Sequence, residues 1–387
     1  MYTAERQRAQ PYLDKVAGPL IEQWFLLHHR IVRVVTNHRK LADEVRHFLY
    51  YAEFLAEYSY NSASDIPIAI PENLLWQVEE RLYRPVALTC YLFQTSPGEL
   101  FPPAPAEPKP DNVEWVIIPG MEGPLQARWQ KEWQRFREYQ SYPGVSSRIC
   151  AVRDKKDLHA TIFVEDVESV APWFMMRHVF YMVVGALLRY DGYEIVHAGA
   201  IALNGTGVLL IGSPGSGKTT LLLSCLHMGM QLLADDVILL AKDDGIVKVY
   251  SFPEDIGVRW GTIELLDHYP FMQGLTADVR RKRFINVQRY FRDQVIDSCK
   301  VSFLLFIHEE QRRTEFLAER ISPSQAVGWL MSEYISQQLA QEGGANQMFD
   351  IFSDLVTQAQ SYCISLTPDV LVNAEQVRML IAQHSKS

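Results

Sequence analysis

Apolar and polar positions change rhythm near the middle of the chain. Before about residue 100 the spacing favours helices: in "LADEVRHFLYYAEFLAEYSY" (41–60), Leu41, Val45, Phe48, Leu49, Phe54 and Leu55 fall on one face of a helix. "RPVALTCYLFQ" (84–94) is apolar enough for a strand. "EWVIIPG" restarts as a strand at 114, and "LQARWQKEWQRFREYQ" (125–140) sets Trp129, Trp133 and Phe136 along one side of a helix. From about residue 158 strands alternate with helices. "ATIFVED" (160–166) predicts a strand and 172–189 an apolar helix. "YEIVHAGAIALNGTGVLLIG" (193–212) predicts two strands turning at Asn204-Gly205, a dipeptide suited to the left-handed conformations of a tight hairpin. "QLLADDVILLAK" (231–242) and "VSFLLFIHE" (301–309) are further strands. Helices near 322–339 and 346–361, the strand "YCISL" and a helix near 373–384 complete the pattern.

This order predicts an α/β fold: a P-loop core sheet flanked by helices, preceded by a mainly helical α+β region. The segments are a mainly helical 1–100, a proline-rich linker at 101–112, a connecting α+β segment at 113–157, the core at 158–310, and a C-terminal helical part of the same domain at 311–387. The linker follows from five prolines between Pro102 and Pro110, a density that neither a helix nor a central strand accepts.

Composition narrows the classes. The 387 residues carry a net charge of −9, which argues against a general nucleic-acid binder. Cys90, Cys150, Cys225, Cys299 and Cys363 are scattered without metal-ligand spacing and read as reduced thiols of a cytoplasmic protein. The first fifteen residues lack the apolar core of a signal peptide, and the longest apolar run, Val179 to Leu188, is too short for a membrane span.

The candidate chemistry lies between residues 197 and 236. Gly212, Ser213, Pro214, Gly215, Ser216, Gly217, Lys218 and Thr219 satisfy G-x-x-x-x-G-K-[ST], the Walker A pattern, between an apolar strand and a helix starting at 218. Thr220, next along that helix, extends the candidate nucleotide contacts. Glycines allow the backbone N–H groups to turn toward phosphate oxygens, and the helix start adds its positive end. Lys218 would neutralise phosphate charge, and the Thr219 hydroxyl would bind Mg²⁺. Asp235 and Asp236 lie seventeen and eighteen residues beyond the lysine, within an otherwise apolar strand. Charge there is costly unless paired or metal-bound, so one carboxylate suits Mg²⁺ and the other the proton of an attacking hydroxyl. The bland alternative for such a pair is a turn or a helix cap. His197, twenty-one residues before Lys218, is a structural histidine or a catalytic one on pattern alone. The run Arg280, Arg281, Lys282, Arg283 is either a solvated face or a phosphate clamp, and Arg259 is a weaker candidate of the same kind.

The order His197, the glycine-rich turn 212–219, then "LLADD" ending at Asp236 resembles the C-terminal catalytic domain of the HPr serine kinase/phosphorylase family. It also resembles the shorter HPr-kinase-like proteins of bacterial biosynthetic clusters. The likeness covers roughly 158–387. It implies an ATP- and Mg²⁺-dependent kinase that passes the γ-phosphate to a hydroxyl of a protein, a peptide or a small molecule. It further implies that Asp236 takes the acceptor proton, that Asp235 and Thr219 serve the metal, and that Lys218 and His197 assist the phosphoryl group. A homo-oligomer is compatible with it. The family places a metal-binding glutamate where this chain has Gly261, with Glu254 and Glu264 nearby. That departure keeps open a nucleotide-binding regulatory protein with little or no kinase activity. An unrelated P-loop enzyme is a third reading. The first 150 residues, without a part in gripping ATP, are expected to present the acceptor.

Overall fold

The computed structural model describes residues 19–61, 70–78, 81–82, 87–94, 113–115, 136–138, 148–154, 158–164, 166–252, 254–275, 282–307, 315–337 and 345–384. Within them the fold is mixed α/β, in two compact units that meet in sequence at Asp191 and Gly192. The alternating core expected from 158 therefore begins at 192. The strand at 159–164 and the apolar helix after it belong to the first unit.

The first unit is built on a sheet, not on helices. Strands β1 (Leu20–Leu27), β2 (Arg30–Thr36), β3 (Glu53–Tyr60), β4 (Leu88–Gln94), β5 (Val113–Trp115), β6 (Phe136–Glu138), β7 (Arg148–Asp154) and β8 (His159–Val164) lie in the order β3-β1-β2-β4-β8-β7-β5, with β6 also on β7. Helix α1 (Arg39–Phe48) and helix α2 (Glu72–Val78) accompany them. The single helix expected over 41–60 is thus a helix to Phe48 and a strand from Glu53. "EFLAEYSY" pairs along its length with β1, and tertiary pairing overrides the local helical spacing. The helix expected over 125–140 meets the strand Phe136–Glu138 within its range; the rest of it, and the 101–112 linker, fall outside the described residues.

Strands β1 and β2 are buried at every position, so they show no alternation. Their turn has His28 at φ 57. Burial on both faces forces polar side chains to pair. Arg33 Nε donates to Glu22 Oε1 at 2.7 Å, the Tyr60 hydroxyl donates to Glu22 Oε2 at 2.8 Å, and the Arg33 guanidinium lies over the Trp24 ring. Arg30, equally buried, is paired with Asp191. A helical stretch runs from Pro172 through a π-helical turn at Met175–Phe180 to Tyr190, and we number it α3.

The second unit contains strands β9 (Glu194–Val196), β10 (Gly199–Leu203), β11 (Thr206–Ile211), β12 (Gln231–Ala234), β13 (Ile238–Asp243), β14 (Ile246–Tyr250), β15 (Ile256–Val258), β16 (Arg283–Ile285), β17 (Ser298–Ile307), β18 (Leu317–Arg320) and β19 (Gln360–Ser365). Its helices are α4 (Lys218–His227), α5 (Trp260–Leu265), α6 (Val287–Tyr290), α7 (Pro323–Gln337), α8 (Ala345–Gln358) and α9 (Val370–His384). The main sheet runs β12-β10-β11-β17-β14-β13-β9, with β19 on β17 and β18 on β19. Strand β17 is parallel to β11 and to β19. β12 is antiparallel to β10, which is antiparallel to β11, so β12 runs with β11. Alternate residues of these strands face opposite layers. Leu209, Ile211, Leu304 and Phe306 pack with Leu330 of α7 and with Phe352 and Leu355 of α8. Helices α4 and α9 pack together on the other face. The β10–β11 hairpin turns at Asn204 (φ 50) and Gly205 (φ 78), as its sequence expects.

The strand expected across 231–242 is two strands. Asp235 and Asp236 occupy a bend between β12 and β13, and the apolar strand 193–203 is likewise interrupted at His197 and Ala198. Both breaks lie at the same level: β10 pairs with β12, and β9 pairs with β13 through Val196↔Ile238. Two charged residues are poor company for a continuous buried ladder, so the ribbon opens where they occur. No helix among the described residues is long and apolar enough to cross a membrane.

Replacing Arg33 with Met removes the charge partner of buried Glu22. Guanidinium denaturation should show a loss of about 3–5 kcal/mol for the first unit. A loss below about 1 kcal/mol would mean that the pair is not what holds β1, β2 and β3 together.

Candidate functional site

In the second unit the parallel strands β12, β11, β17 and β19 end at one edge of the sheet. The loops that leave their carboxyl ends converge there, the place where open α/β sheets form binding crevices. After β11 the chain enters Gly212–Gly217. At Gly212 a Cβ would sit 2.5 Å from the Ile307 carbonyl oxygen at the end of β17 and 2.9 Å from Ser216 Oγ, so only glycine lets the two backbones approach. Gly215 and Gly217 have φ of 97° and 103°. Gly217 precedes α4, and Leu366, just beyond β19, lies against it. Ser213, Pro214 and Gly215 are exposed, whereas Ser216 is buried and its Oγ has no hydrogen-bond partner.

Lys218 opens α4 and is buried. Its Nζ folds back over the loop, donating to the Gly212 carbonyl and, at 3.1 Å, to the Ser213 carbonyl. Burial pushes its pKa down; the carboxylates of Asp236, Glu333 and Asp235 push it back up. The next residue, Thr219, donates its hydroxyl to Asp235 Oδ2 at 3.3 Å. Thr220 shares a hydrogen bond of 2.9 Å with Thr262 of α5.

Asp235 is buried, and its Oδ1 has no hydrogen-bond partner. Burial raises its pKa to about 8. The charges of Asp236 and Glu254 add to the rise, while the Thr219 hydroxyl and Lys282 oppose it. Asp236, at the same bend, is paired with Lys282 Nζ at 3.3 Å. His197 lies in the neighbouring break, and its ring is hydrogen-bonded to the main chain of Asp236. Burial lowers its pKa, with Lys218 and Lys282 adding to the fall against Asp236, so the imidazole is neutral at neutral pH.

All the site residues expected from sequence are thus in one region: the loop 212–217 with Lys218, Thr219 and Thr220 on one side, Asp235, Asp236 and His197 on the other. Of the carboxylates flanking Gly261, Glu254 is buried within electrostatic reach of Asp235 and Glu264 is exposed. Arg259 is exposed, and Arg280 and Arg281 fall outside the described residues. Two groups gain definition from the structure. Lys282 is only one member of a basic run in sequence; Glu333, on α7, carries no sequence signal linking it to Lys218. No three His, Cys, Asp or Glu side chains come together as a metal cage among the described residues. The orphaned Asp235 oxygen beside the Thr219 hydroxyl fits a hard divalent cation that takes a few protein oxygens and completes its shell elsewhere.

No family model and no curated protein matches the chain. Among solved structures it is similar to the Hpr(Ser) kinase/phosphatase from Coxiella burnetii. The identity is 16%, covering 48% of this chain and 98% of that one, with a TM-score of 0.24. Values this low transfer neither an activity nor a site residue.

Two outcomes test this geometry. Gly212→Ala should destabilise the second unit by about 1–3 kcal/mol, because a backbone carbonyl stands where the methyl must go; an unchanged thermal midpoint contradicts it. The second outcome concerns pH. The folded chain holds a proton on Asp235 that the unfolded chain releases above the ordinary value of 3.8. The stability linked to it is complete below that value and is lost as pH rises toward about 8. Without metal or nucleotide, the thermal midpoint of Asp235→Asn should therefore gain steadily on wild type between those limits. A constant difference would show that Asp235 titrates normally.

Proposed function

We propose that the second unit binds ATP with Mg²⁺ and transfers the γ-phosphoryl group to a hydroxyl acceptor. The observation that carries this reading is the meeting of Asp235 and Asp236 with Lys218 and Thr219 at one loop edge. In this reading the backbone N–H groups of 212–217, Pro214 having none, hold the phosphates, helped by the positive end of α4. Lys218 exchanges its carbonyl partners for phosphate oxygens. Thr219 and Asp235 would hold Mg²⁺, which, when bound, screens phosphate charge. Asp236 accepts the proton of the acceptor hydroxyl as that oxygen bonds to the γ-phosphorus and the bridging β–γ P–O bond breaks, releasing ADP. Neutral His197 bonds to the Asp236 main chain and fixes the bend that aims the carboxylate. The acceptor is a serine of a protein or peptide or a small-molecule alcohol, recruited through residues 1–150.

A regulatory nucleotide binder is favoured by one observation: a Cβ added at Gly261 would meet nothing within 4 Å, so open space stands where the resemblance sets a carboxylate. Asp236→Asn separates the two readings. The full-length protein is incubated with MgATP and the products of adjacent genes, and phosphorylated species are quantified by mass spectrometry. For the kinase, the variant binds ATP within about twofold of wild type and transfer falls at least about 100-fold. Transfer retained by the variant removes the base assignment; wild type that binds ATP and phosphorylates nothing supports the regulator.

A further inference from the structure

Lys282 immediately precedes β16, which pairs with β15 as a two-stranded ribbon apart from the main sheet. Its ammonium crosses from this ribbon to Asp236, 3.3 Å away, with the lysine side chain 39% and the aspartate 16% exposed. The lysine stem runs past Gly257. A Cβ there would lie 3.3 Å from Lys282 Cδ and 3.5 Å from its Nζ, so the stem packs closely along the bare backbone of β15. Phe284, directly opposite Gly257, borders the same position. Lys282 also acts on His197, Lys218 and Asp235, so its charge is felt throughout the cluster.

We propose that Lys282 is a third phosphate-facing cation: it holds Asp236 in an ion pair at rest and passes to the terminal phosphate when a nucleoside triphosphate binds. This rests on the nucleotide reading above and adds a role that the Walker pattern does not contain. An ammonium on the Asp236 carboxylate occupies the oxygen that must receive the acceptor proton. A terminal phosphate brings more negative charge than a single carboxylate and competes for the same cation. The exchange frees Asp236 only when a transferable phosphoryl group is present. A diphosphate lacks the group that draws the lysine away, so the cation discriminates between the two nucleotides. Lys282 is partly exposed, so its replacement opens no core cavity, although it takes a cation from the largely buried Asp236.

The test is titration calorimetry of the full-length protein with MgATP and MgADP, comparing wild type with Lys282→Met, Lys282→Gln and Lys282→Arg. Wild type should favour ATP by about tenfold, the loss of one phosphate ion pair. Met and Gln should abolish that preference by weakening ATP alone, leaving ADP within about twofold, and Arg should restore it. A merely structural lysine would lower both affinities together. An equal fall, an unchanged preference, or wild type that binds ATP and ADP alike overturns the proposal while leaving nucleotide binding in place. Wild type that binds neither nucleotide overturns both readings.

Discussion

A carboxylate buried away from water is the constraint on which the second unit turns. Asp235 lies just past the end of β12, one oxygen held by Thr219 and the other without a hydrogen-bond partner. Such a group is expensive, and its environment is arranged to contain the cost without removing it. The ladder opens on both sides of it, at 197–198 and 235–237, so the carboxyl group sits in a break of the strands instead of inside the ladder. A lysine from another ribbon approaches its neighbour, and the raised pKa keeps a proton on it. A cost kept in place beside a glycine-rich loop has a use when a cation and a polyanion supply the missing partners.

The loop's strain follows the same logic. Gly212 brings the end of β11 against the end of β17, and Gly215 and Gly217 take backbone conformations that side chains resist. Lys218 meanwhile folds back onto two carbonyls of its own loop. A phosphate chain would replace weak internal acceptors with charged ones, so the loop's donors are held ready and need little rebuilding.

Much of the second unit is legible in sequence because its signals are local. Gly212–Thr219 specify a loop by residue type, and Asn204-Gly205 specify a turn by backbone conformation. The joining of His197 to Asp236 is not legible from spacing, because it depends on which strands pair across the ribbon. Lys282 is one charge among four in the sequence, since its partner lies forty-six residues away. The first unit departs from its local pattern where strands are buried on both faces. β1 contains Glu22 and Gln23 yet is buried throughout, and those residues are tolerated only because Arg33, Tyr60 and Glu57 lie across the sheet. "EFLAEYSY" carries helical spacing, but its pairing with β1 decides its state.

A crystal structure of the full-length protein with Mg²⁺ and a non-hydrolysable ATP analogue tests the central claim most directly. The account predicts the terminal phosphate against Lys218 and the cation between Thr219 and Asp235. It also predicts that the Asp236 carboxylate faces the terminal phosphate, on the side from which an acceptor hydroxyl would approach in line. An analogue bound elsewhere, or an Asp236 side chain directed away from its terminal phosphate, would contradict it.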